Sequence, residues 1–172
     1  MMPKISTLID TNVLCSPLTF SLLIEIEKLG LIQMYFNPSI INEYRLHSSH
    51  FKETILKENV DTYLKNPFIN IIESKKSDLI FKIKDKSDSH LIKSAYQHNI
   101  QYIITFDQKA FYKSQLKELK IQAQNPDLLL FSFFKNDPTQ LNNLLIKLDL
   151  EQNQHKTYLK LAQLKKLAQL IE

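Results

Sequence analysis

A chain of 172 residues, 44% hydrophobic and 23% charged, fits one globular domain with a buried core, and no stretch approaches the roughly 18 consecutive apolar residues that span a bilayer. A single cysteine, Cys15, excludes an internal disulfide and any Cys-rich zinc module, and a single glycine, Gly30, excludes a P-loop and a Rossmann glycine fingerprint. The net charge of +4, carried by lysines and one arginine, Arg45, is compatible with a polyanionic partner, although most lysines read as solvated surface.

Residues 5–9 form a short apolar run of strand type, followed directly by Asp10. Residues 18–29 have helical periodicity, and Gly30 stands where a helix commonly stops. Residues 33–36 read as a second strand. Asn37-Pro38-Ser39 then breaks the chain and opens a helix through Leu46 that carries Glu43. A helix is expected over 51–64, with Pro67 as its stop, and a third strand over 68–72. Ser87 is the expected cap of a helix from Asp88 to about His98, with Asn99 in a left-handed turn beyond it. With so little glycine, left-handed positions are expected to fall mostly to asparagine. Residues 102–105 read as a fourth strand, with Asp107 just past it. A helix over 109–119 and a short fifth strand over 121–123 follow. After Asn125-Pro126 the chain reads as helical over 127–134, 138–148 and 157–171.

Apolar strands alternating with helices imply an α/β fold of three layers, α/β/α, around a parallel sheet of four to five strands. Residues 1–135 are assigned to this unit and 136–172 to a helical C-terminal extension packed on it. In such sheets the functional crevice lies beyond the carboxyl ends of the strands. Asp10 and Asp107 follow strands directly, and Glu43 and Asp88 lie in the first turns of helices that can reach the same edge. Taken singly, Asp10, Asn12, Ser87 and Asp88 also suit helix capping, Glu43 a solvated first turn and Asp107 a turn. Four acids from separate segments in register with the strand ends are not explained by stability, because their repulsion raises their pKa values unless a cation neutralises them. Mg²⁺ or Mn²⁺ suits such an all-oxygen set.

The run Leu8-Ile9-Asp10-Thr11-Asn12-Val13-Leu14 resembles the opening motif of PIN-domain nucleases. Ser39-Ile40-Ile41-Asn42-Glu43-Tyr44-Arg45 is similar to their second motif, Asp85-Lys86-Ser87-Asp88-Ser89-His90-Leu91 to the third, and Ile103-Ile104-Thr105-Phe106-Asp107-Gln108-Lys109-Ala110-Phe111 to the fourth. The segment Ile121-Gln122-Ala123-Gln124-Asn125-Pro126-Asp127 resembles the stretch after strand five in a bacterial VapC-like toxin branch, which also carries a helical C-terminal extension. The resemblance implies that Asp10, Glu43, Asp88 and Asp107 are the catalytic, metal-binding acids of an Mg²⁺- or Mn²⁺-dependent endoribonuclease. It implies hydrolysis to a 5′-phosphate and a 3′-hydroxyl, RNA as substrate and an antitoxin protein as partner. In this branch Asn often stands at the position of Asp107 and Asp at that of Ala110; here the acid occupies the first position only.

Asn12 and Thr105 are candidates for hydrogen-bonding the acids and fixing their orientation. Arg45 and His90 are candidate substrate contacts, against an ion pair and a structural role respectively. Asp85 is expected to stay solvated or at the margin. The amphipathic segment 157–171 packs on the core or offers a face to a second copy of the chain or to an inhibitory helix. The lone cysteine and the absence of a signal-peptide pattern point to a cytoplasmic protein without a membrane anchor. The competing readings are a non-catalytic RNA-binding module of the same fold and a housekeeping RNA-processing nuclease. A phosphatase of the haloacid-dehalogenase type needs a second Asp two positions after the first, where this chain has Asn12.

Overall fold

A computed structural model describes residues 4–49, 51, 54–74 and 88–171. Ser87 and Asp85 lie outside the described residues. Five strands, β1 (Ile5–Ile9), β2 (Ile32–Phe36), β3 (Asn70–Ile71), β4 (Tyr102–Ile104) and β5 (Gln122–Gln124), form one wholly parallel sheet in the order β3-β2-β1-β4-β5. Helices cover the sheet, giving the three-layer α/β/α architecture expected. The central strand shows why: Thr7, Leu8 and Ile9 are all fully buried, so β1 has no polar face to offer water. Thr7 satisfies its hydroxyl within the sheet by donating to the carbonyl of Gln33 at 3.1 Å.

The helices are α1 (Thr11–Leu14), α2 (Pro17–Lys28), α3 (Pro38–Ser48), α4 (Ile55–Lys65), α5 (Ser89–Gln97), α6 (Lys113–Glu118), α7 (Pro126–Phe134), α8 (Pro138–Lys147) and α9 (His155–Leu161). Proline occupies the first position of α2, α3, α7 and α8, where no backbone N–H is needed. Asn37 and Asn125 cap α3 and α7 by accepting from Ser39 N and Asp127 N at 2.8 Å each. Between α2, β2 and α4 the rings of Phe20, Phe36 and Tyr63 meet edge to face with centroids 5.4–6.0 Å apart.

Several boundaries differ from expectation. The helix expected over 51–64 begins at Ile55, because the Thr54 hydroxyl accepts from Lys57 N and fixes the start. The strand expected over 68–72 is two residues long, pairing only Tyr35 with Asn70 and Phe36 with Ile71. The helix expected over 109–119 divides into a 3₁₀ turn at Gln108–Ala110 and α6, with Phe111 and Tyr112 extended between them. The four-residue α1 was not foreseen. The long helix expected over 157–171 stops at Leu161, where Gln163 turns left-handed at φ 62°. A 3₁₀ turn, Leu167–Leu170, follows and is anchored from its own start: the buried Asp127 carboxylate accepts from Lys166 N and Leu167 N, both at 2.8 Å. Left-handed backbone at Asn99 and Gly30 is as expected, but Lys120, Asp149 and Gln163 also adopt it, so asparagine supplies only one such position among the described residues.

Strand order reverses beside β1: β2 and β3 build out on one side, and β4 and β5 on the other. β1 and β4 end level, with Ile9 opposite Ile104 and the Asp10 N–H donating to the Ile104 carbonyl at 3.0 Å. Ligands of such folds bind beyond the carboxyl ends of the strands beside this reversal.

Candidate active site

Asp10 holds the N-cap position of α1, and its carbonyl accepts from Val13 N at 3.0 Å. Its carboxylate does not cap the helix. Instead Oδ2 accepts from the Thr105 hydroxyl at 2.7 Å and from Asn12 Nδ2 at 2.6 Å. The second hydrogen of that amide goes to Thr105 Oγ1 at 3.0 Å, and Asn12 Oδ1 accepts from Phe106 N at 3.2 Å. Thr105 Oγ1 also accepts from Asp107 N at 3.0 Å. The fully buried threonine hydroxyl therefore uses its one donor and both acceptor sites, and the Asn12 amide uses both hydrogens. Asp10, Asn12 and Thr105 form one closed network across the ends of β1 and β4.

The remaining acids differ in their relation to this network. Glu43 lies on α3 with its side chain half exposed; Oε2 accepts from the Thr11 hydroxyl at 2.6 Å, and His47 Nε2 stands 4.0 Å from Oε1. Asp88 occupies the N-cap position of α5, half-buried, without a side-chain cap bond. Asp10 is 9% exposed, and its pKa is pushed up to about 6. Burial is the main cause, opposed by the hydrogen bond from Thr105; the charge of Asp88 raises it further, the Thr11 N–H lowers it, and Glu43 adds a last increment upward. So Asp10, Glu43 and Asp88 share one electrostatic field. Asp107 is exposed at the rim, and its carboxylate is engaged in its own turn, with Oδ1 accepting from Lys109 N at 3.2 Å.

Arg45 is exposed on α3, two residues past Glu43, and makes no ion pair with an acid among the described residues. His90 is half-buried in the first turn of α5. Two residues that the sequence reading gave no role are part of the site. Thr11 is buried and holds the Glu43 carboxylate through its hydroxyl. Cys15 lies close enough to feel both Glu43 and Asp10; burial first, then these two charges, push its thiol pKa upward, which excludes a resting thiolate nucleophile. A threonine directly after the strand-end aspartate was the available signal for Thr11.

The donor set is all oxygen. A buried carboxylate held near pH 6 by desolvation and two like charges is a group that a divalent cation would relieve, and hard oxygens suit Mg²⁺ or Mn²⁺. Among the described residues, no three Asp, Glu, His or Cys side chains are set close enough to enclose an ion by themselves. A family profile described as the PIN domain matches residues 6–109, which run from β1 through the turn after β4. No curated protein matches the chain.

Proposed function

The chain belongs to the PIN-domain family, whose members are generally nucleases, and on that premise we propose that it is a divalent-metal-dependent endoribonuclease, the toxin half of a VapBC-type toxin–antitoxin pair. The observation that carries the reading is Asp10: a buried carboxylate at the switch point of a parallel sheet, spared from capping its helix, oriented by two side-chain hydrogen bonds and crowded by the charges of Asp88 and Glu43. An inert RNA-binding module has no need for that arrangement, which costs stability. When bound, Mg²⁺ or Mn²⁺ supplies positive charge against the phosphodiester and acidifies water beside it.

In this reading Asp10 and Asp88 would hold the cation, and Glu43 would reach it through water, because no three of the described acids are set close enough to enclose an ion by themselves. Asn12 and Thr105 keep the Asp10 carboxylate in one rotamer, so the cation meets a fixed oxygen rather than a mobile one. Thr11 does the same for Glu43. Asp107, at the rim, orients the attacking water or a second cation. Arg45 and His90 are assigned to the phosphate backbone; the exposed guanidinium of Arg45 can grip a phosphate with two parallel N–H bonds. Hydrolysis leaves a 5′-phosphate and a 3′-hydroxyl.

The test is cleavage of a 5′-labelled RNA in Mn²⁺ and in Mg²⁺ by the wild type, Asp10→Asn and Asp88→Asn. Loss of cutting by at least about a hundredfold in both variants is expected, since each removes a charged ligand. Equal cutting by wild type and Asp10→Asn would end the reading. Growth arrest on expression of the wild type, absent with Asp10→Asn, separates a toxin from a housekeeping nuclease.

A further inference from the structure

Leu8 stands opposite Tyr35 and Ile9 opposite Ile104, so Asp10, Asn37 and Thr105 are the first residues past three neighbouring strands. They form a row along the carboxyl edge of the sheet. Asp10 and Thr105 belong to the network described above; Asn37, only 4% exposed, is engaged elsewhere. Its carboxamide is fully used. Oδ1 accepts from Ser39 N at 2.8 Å and starts α3. Nδ2 donates to the Ser94 hydroxyl of α5 at 2.7 Å and to the Ser74 hydroxyl, in the segment that leaves β3, at 3.1 Å. The Ser74 and Ser94 hydroxyls share a hydrogen bond of 2.6 Å, and Ser94 is fully buried.

Capping explains one end of this amide and not the other. An N-cap needs only an oxygen, and serine or aspartate supplies it as well as asparagine does. The donor end reaches a residue 57 positions away, inside α5. α3 carries Glu43, six residues past Asn37, and α5 follows Asp88, six residues before Ser94. One planar side chain therefore ties the helix that bears Glu43 to the helix that starts at Asp88, level with Asp10 on the next strand. The charges of both acids reach Asp10. Among the described residues no three acids enclose an ion by themselves, so a cation here is shared between separate carboxylates and water. The spacing of α3 and α5 then sets how well it is held.

Resting on the metal-nuclease reading above, we propose that Asn37 is a positioning residue for the cation site: its amide, clamped between Ser39 N and the Ser94 hydroxyl, fixes the spacing of Glu43 and Asp88 about Asp10. Buried as it is, Asn37 meets neither cation nor RNA and acts through α3 and α5 alone. Loss of the clamp leaves every acid in the chain and α3 still capped, but sets the carboxylates at a wrong separation. Groups that orient metal ligands without touching the metal contribute about 10- to 100-fold in metal affinity. A displacement of about 1 Å far from the chemistry costs on the order of a hundredfold in rate.

The experiment titrates Mn²⁺ into wild type, Asn37→Ser, Ser94→Ala and the double variant, reading free Mn²⁺ by electron paramagnetic resonance, and measures kcat and KM on a labelled RNA in Mn²⁺. Asn37→Ser keeps an oxygen for Ser39 N but has no amide to give to α5, so its melting temperature in a chelator should stay near that of wild type. Its Mn²⁺ affinity should fall at least about tenfold and kcat by a similar factor, with KM for RNA changed less than about twofold. Ser94→Ala should give the same split, and the double variant should be no worse than either single one, because both remove one contact. Ser94→Thr should bind Mn²⁺ at least about fivefold more tightly than Ser94→Val, since the two share the added bulk and only the first keeps the hydroxyl. Unchanged Mn²⁺ affinity in Asn37→Ser and Ser94→Ala overturns the proposal, as do losses that add in full in the double variant or that follow only the melting temperature. If wild type binds Mn²⁺ and cuts while both variants match it, the clamp falls and the nuclease reading stands; if wild type binds no Mn²⁺, both fall.

Discussion

At the scale of single residues, Asp10 carries a charge that its burial makes costly. Its pKa of about 6 in the folded chain lies above the ordinary 3.8, so between those values the folded chain binds more protons than the unfolded one. The stability the protonated group confers is present below pH 4 and is lost as pH rises to about 6, on the order of 3 kcal/mol, with little further change above. Urea unfolding in a chelator at pH 5 and pH 8 should show about half of this loss for the wild type and not for Asp10→Asn. The variant keeps an oxygen for both Thr105 and Asn12 and carries no buried charge. It should therefore be the more stable protein at pH 8 while failing to cut RNA; equal pH dependence in the two would remove the electrostatic account. A cation bound at the carboxylate reverses the penalty, so Mn²⁺ should raise the melting temperature of the wild type at pH 8 and leave that of Asp10→Asn unmoved. Thr105 is the companion case. Thr105→Val keeps the shape but strands Asn12 Nδ2 and Asp107 N without their shared acceptor, and kcat should fall about 10- to 100-fold. Thr105→Ser, which restores the hydroxyl, should recover most of it.

At the scale of elements, five helices end in the same way. α2, α5, α6, α8 and α9 each place one left-handed residue after the last turn: Gly30, Asn99, Lys120, Asp149 and Gln163. The next residue then donates back across the turn, Leu31 to Ile26, Ile100 to Ala95, Ile121 to Leu116, Leu150 to Leu145 and Leu164 to Leu159. That next residue is apolar every time, and Ile100, Ile121 and Leu164 are buried, so packing of the anchor outweighs the cost of a left-handed side chain. The only glycine falls where the anchor, Leu31, is exposed. Sequence periodicity could find Gly30 and Asn99 from residue type, but Lys120, Asp149 and Gln163 are set by the packing of the residue that follows, buried for Ile121 and Leu164 and half-buried for Leu150, which has no local mark. For the same reason segment 157–171 reads as one amphipathic helix although it turns at Gln163. Lys120→Gly, at an exposed position, should stabilise the chain by about 0.5–1 kcal/mol in urea unfolding, since it relieves the left-handed strain at some cost in unfolded-state entropy. A destabilised variant would show that the strain at φ 57° is absent.

At the scale of the whole molecule, the strand–helix alternation and the acids that follow strand ends were open to reading from residue order alone, because a parallel sheet sends its functional groups to one edge. Long-range partners were not. The Thr11–Glu43 hydrogen bond, the ion pair of Lys147 with Glu25 and the anchor at Asp127 join segments 32 or more residues apart, and nothing local marks the far end of such a contact. Asp127 holds the extension against α7 through two backbone amides. Asp127→Ala should cost about 1–3 kcal/mol and release the amides of Lys166 and Leu167 to fast hydrogen exchange ahead of the sheet. If those amides stay protected, the extension is held by its apolar contacts alone. The bond from Thr105 to Asp10 spans 95 residues, and β1 lacks its second neighbour until β4 exists. A chain still emerging from the ribosome thus carries Asp10 through the next 95 residues of synthesis without Thr105 to orient it, and this edge of the sheet closes only once β4 has been made.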